Sequence, residues 1–138
     1  MRWPVVLLAA ALTACSGSES GYVSSAEQSA QEGLSAAGTL EQLVQAQGRL
    51  LPPYRKAAVD DVLSTATKAL DDLESEPPPG PDAARVYDQV HPQLQGLVAA
   101  AGQVRDALDA GDGNRVTEAE RRLSGVRDQL DAFVRSRQ

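Results

Sequence analysis

Apolar residues recur along this chain at intervals of three and four, and nowhere do they alternate with polar ones as in a strand. The clearest stripe is Tyr87, Val90, Leu94, Leu97, Ala101, Val104 and Leu108, an unbroken 3-4 pattern that predicts an amphipathic helix over 82–110. A second, Val116, Ala119, Leu123, Val126, Leu130 and Phe133, predicts a helix over 114–136. Val59, Leu63, Ala66, Leu70 and Leu73 define one over 54–76. Ala30, Ala37, Leu40, Val44 and Leu51, flanked by Leu34, Leu43 and Leu50, define the first, over 24–51. Gly33, Gly38 and Gly48 weaken that first helix by roughly 1 kcal/mol each against alanine.

Turn chemistry separates the stripes. Ser24-x-x-Glu27 reads as a capping box, and Pro52-Pro53 ends the first helix. The run Pro77-Pro78-Pro79-Gly80-Pro81 cannot be helical. Asp82 is a candidate N-cap for the third helix and Asn114 for the fourth, after the turn Gly111-Asp112-Gly113. Pro92 falls inside the third stripe and predicts a kink in a continuous helix. Four helices of about 22–28 residues, each roughly 33–42 Å long, joined by short turns, predict an all-α, up-down-up-down four-helix bundle with coiled-coil-like packing. A three-helix bundle with a frayed first helix is the alternative.

The first 23 residues stand apart. Trp3 to Leu12 is a ten-residue apolar run behind a single arginine, Arg2. Ten residues make roughly 15 Å of helix, half a bilayer core, so the run is a signal h-region and not a membrane span. It ends in Leu12-Thr13-Ala14-Cys15, an aliphatic residue, two small residues and the sole cysteine of the chain. This run resembles the lipobox of bacterial lipoproteins. The resemblance implies cleavage between Ala14 and Cys15, an S-diacylglycerol on Cys15, N-acylation of the new terminus in many members, and anchoring at the extracytoplasmic face of the cell membrane. Two acyl chains suffice for stable anchoring where one does not. Residues 1–14 are then a lipoprotein signal peptide, 15–23 a lipidated cysteine with a flexible tether, and 24–138 the bundle.

Charge and chemistry narrow the picture further. The whole chain carries a formal −6, and loss of Arg2 with the leader makes it −7. That balance argues against nucleic-acid binding. His91 is the only histidine, and beyond the leader there is no methionine and no cysteine save Cys15. A zinc or haem site therefore lacks ligands, and no metal or cofactor is expected. Serines lie in the tether and on helix surfaces without a base in register, so no catalytic residue is expected either. The cluster Asp71-Asp72-x-Glu74-x-Glu76 closes the second helix. It reads as a solvated helix end, with a divalent cation or a basic partner as the sharper possibility.

The fourth helix, from Arg115, carries six arginines against four acids, whereas Tyr54–Glu76 carries three bases against six acids. In an up-down-up-down bundle these two helices lie diagonally. The arginines therefore complement the first and third helices, or else form a docking face for an acidic partner. Together these readings describe a membrane-anchored lipoprotein with a non-enzymatic interaction or structural module and an unidentified protein partner. A small-ligand-binding lipoprotein with a pocket in the bundle core is the alternative.

Overall fold

The computed structural model describes residues 16–138. The leader, Ala14 and Cys15 lie outside them. The described chain forms helices α1 (Ser16–Gln45), α2 (Pro52–Glu74), α3 (Pro81–Ala110) and α4 (Gly113–Ser136), with one 3-10 turn, Gln47–Arg49, between α1 and α2. The protein is an all-α four-helix bundle. Sequential helices pack side by side, and α1 also packs on α4, closing the square. Across the diagonals only α1 and α3 make extensive contact, so α2 and α4 are indeed apart.

The stripes face inward as their spacing predicts, except for Leu51, which lies beyond the end of α1 and is exposed. Leu40, Leu94, Leu97, Leu123 and Leu130 are fully enclosed, with Val59, Val90 and Val104 beside them. Phe133 joins the core near the C-terminal end of α4. The α1–α3 diagonal is short because α1 offers small residues to it. Gly33 is buried, and a Cβ built there would lie 2.6 Å from Leu94 Cδ2. The glycine that lowers helix propensity is the one that lets the two backbones approach.

The largest departure from expectation is at the start of α1. Ser16 to Val23 is not a tether but two further helical turns, and the capping box at Ser24 is not used. Tyr22 and Ala26 are buried, continuing the stripe of Ala30 backwards at intervals of four. The burial of one tyrosine outweighs a serine- and glycine-rich composition. α1 is thus a full member of the bundle, and it ends at Gln45, six residues short of the prolines.

The other ends shift by one or two residues for local reasons. α2 starts at Pro52 because proline, lacking an N–H, fits the first turn. It stops at Glu74, since Pro77 already disfavours the α region at Glu76. Pro81 takes the first position of α3, which leaves Asp82 inside the first turn rather than capping it. The α3–α4 turn is a Schellman motif around Gly111 at φ 65°, with Gly111 N–H donating to Leu108 and Asp112 N–H to Ala107. Asp112, not Asn114, then caps α4, its Oδ1 accepting from Arg115 N–H at 3.2 Å. α3 runs on through Pro92, whose ring faces solvent.

Candidate functional site

The residues singled out by sequence fall mainly into structural roles. His91 stacks on Tyr87, with ring centroids 4.6 Å apart, and its Nε2 lies 2.8 Å from Glu74 Oε1. This contact ties the last turn of α2 to α3. The acidic cluster is accordingly divided. Glu74 goes to His91, while Asp72 pairs with Lys68 on its own helix at 2.5 Å. Among the described residues no group of three His, Cys, Asp or Glu side chains could hold a metal ion.

The arginines of α4 mostly turn to neighbouring helices or to their own. Arg127 binds Glu41 of α1, and Ser124 Oγ donates to the other Glu41 oxygen at 3.1 Å. Glu41 is only 8% exposed, so its charge is tolerated because both oxygens are satisfied. Asp128 first, then Glu41, push the Arg127 guanidinium further above its ordinary range. Arg137 pairs with Glu27 of α1 at 3.0 Å and covers the Phe133 ring. Arg122 donates to Gln103 of α3 at 3.1 Å. Across helices the α4 arginines thus meet carboxylates of α1 and a neutral glutamine of α3, while Arg121, Arg122 and Arg135 also pair with Glu118 and Asp131 of α4 itself. The burial of Glu41 was not readable from sequence, where it appears as one more polar residue beside Leu40.

The two ends of the bundle differ in what they offer. At the end where α1 begins, Glu19 Oε1 accepts from Asp82 N–H at 2.9 Å and Ala83 N–H at 3.2 Å, capping α3 from 63 residues away. At the opposite end, Leu51 and Tyr54 are the large apolar side chains left in solvent, 65% and 70% exposed. Behind them, between the start of α2 and the end of α3, lies a cleft of about 440 Å³. Sequence reading missed this end, although a tyrosine placed off the Val59 stripe beside two prolines was a signal for it.

Compared with protein families, curated proteins and solved structures, the chain finds no match. Among the described residues no helix is long and apolar enough to cross a membrane.

Proposed function

We propose that this chain is a lipoprotein held by acylated Cys15 at the extracytoplasmic face of the cell membrane, where its bundle acts as a non-enzymatic interaction or structural module. The anchor reading rests on the Leu12-Thr13-Ala14-Cys15 run. The observation that carries the module reading is the solvent-facing pair Leu51 and Tyr54 at the end away from Ser16. A 30-residue α1 is about 45 Å long. An anchor at Cys15 therefore puts this pair on the far side of the bundle from the membrane, within reach of a partner. A pocket in the bundle core has less support, because Leu94, Leu97, Leu123 and Leu130 fill the seam.

The reading predicts that Cys15→Ala abolishes labelling by radioactive palmitate and leaves the leader uncleaved. Unchanged labelling ends the anchor reading. Crosslinking in membranes, followed by capture of the protein, tests the module. The wild type retains a crosslinked partner that Leu51→Ser with Tyr54→Ser loses. A partner retained equally by both proteins removes the tip from the interaction.

A further inference from the structure

The cleft at the Leu51 end has a chemistry of its own. Its exposed apolar surface is Pro52 and Pro53 of α2, with the buried Val59 of α2 and Leu108 of α3 beneath them. Three cations line it, Arg55, Lys56 and Arg105, against one carboxylate, Asp109. The lining is thus net positive in a chain of formal charge −6, although Asp60 and Asp106 stand beside it. Asp109 is already shared with Lys56 at 3.9 Å, and Lys56 also leans on Asp60 at 3.6 Å. Arg105 turns to Asp106 at 3.2 Å. Arg55 differs from both. Arg55 as a residue is half-buried, its Nη1 donates to the Gln47 carbonyl at 3.2 Å, and among the described residues it meets no carboxylate within ion-pair distance.

A guanidinium carries five N–H donors in a planar fork matched to a carboxylate. Placed against an apolar floor, where water competes less, such a fork favours an anion with an apolar tail. The volume suits a small ligand, since pockets for such molecules span roughly 300–1,000 Å³. We infer that this cleft binds a medium-chain acyl carboxylate, its chain on Pro52 and Pro53 above Val59 and Leu108 and its carboxylate received by Arg55, with Lys56 and Arg105 at the rim. The exposed ion pairs of Lys56 and Arg105 are weak enough to re-form around the ligand. The inference concerns a ligand and not the module's partner, and it holds whether or not Cys15 is acylated.

The test uses residues 16–138, which hold the four helices and the buried cluster described above, isotope-labelled, after circular dichroism shows the segment helical. Titration with sodium decanoate produces saturable amide shifts at Arg55, Val59 and Leu108. Decyltrimethylammonium, the same chain with the opposite charge, and acetate, the charge without the chain, leave these signals in place. Arg55→Met keeps an apolar stem and weakens decanoate roughly tenfold or more. The double variant Lys56→Met with Arg105→Met, altered at exposed positions, weakens it as well and serves if Arg55→Met disturbs the fold. Equal response to the cationic chain, or undiminished decanoate binding in these variants, overturns the inference. An acetylated tetrapeptide ending in leucine that binds more tightly than decanoate assigns the cleft to a protein terminus and overturns it too.

Discussion

The two ends of this bundle are finished differently. Where α1 begins, three helices are knitted together by specific contacts: Tyr22 is buried, Glu19 caps α3, and Glu74 meets His91. Where α2 begins, two large apolar side chains stand in solvent, and an apolar cleft lined with cations remains open. An end that only has to hold the bundle together covers its apolar groups and pairs its buried polar ones, with the Tyr22 hydroxyl as the exception here. An end that leaves apolar surface uncovered forgoes the stability its burial would supply, and it is to this surface that the proposed function assigns contact. In the proposed module, contact with a partner therefore falls at the end that gives up local stability.

Both ends hang on a common waist, and that is where the largest effect falls. Leu97→Asp or Leu123→Asp puts a carboxylate into a fully enclosed seam. The cost is several kcal/mol of a total of about 5–15, so each variant of residues 16–138 loses its helical circular dichroism. A variant that stays helical contradicts the assigned core.

Next in size is a pair of tyrosines. Tyr22→Ala deletes a side chain that is 7% exposed and destabilises by about 3 kcal/mol in urea unfolding. Tyr54→Ala, 70% exposed, shifts stability by no more than about 0.5 kcal/mol. Equal losses would erase the distinction between the ends. Glu19→Ala is smaller still. It removes the oxygen that caps α3 and costs about 1 kcal/mol, with faster hydrogen exchange at the Asp82 and Ala83 amides. Glu19→Gln retains an acceptor and costs less.

The legibility of the sequence divides along the same line. The stripes of α2, α3 and α4 are built mainly from Val, Leu and Ala at 3-4 spacing, a signal that survives any connection between them, and the bundle follows from it. The first turns of α1 hide their signal, because Tyr22 sits among five serines and two glycines between Ser16 and Ser25. Local propensity there points to coil, and only packing against the rest of the bundle reverses it. Gly33 illustrates the same gap. As a letter it subtracts from helix stability; in the fold it admits Leu94. Glu41 and His91 are likewise understood only through partners 86 and 17 residues away. The cleft belongs wholly to this second kind of information, since its walls come from α2 and α3, and no pattern within either helix announces it.

The smallest effect tests how well the closed end is closed. Tyr22 is buried there, yet its hydroxyl finds no hydrogen-bond partner among the described residues. Burial, and then the neighbouring Tyr87 and Glu76, push its pKa above the ordinary 10. The folded protein therefore holds this proton to higher pH than the unfolded chain does. The stability linked to it is complete below about pH 10 and is lost as pH rises through the folded pKa. Tyr22→Phe removes both the unpartnered hydroxyl and its ionisation. At pH 7 it leaves stability unchanged or raises it by about 1 kcal/mol, because no bond is broken and a desolvated polar group is gone. At about pH 11 its advantage over the wild type is larger than at pH 7, since every other ionisation is common to both proteins. Urea unfolding at the two pH values reads this difference. A loss of stability at pH 7 means the hydroxyl is hydrogen-bonded in solution, and an advantage that does not grow with pH means Tyr22 is open to water. Either result makes the α1 end less tightly closed than the contrast with the Leu51 end requires.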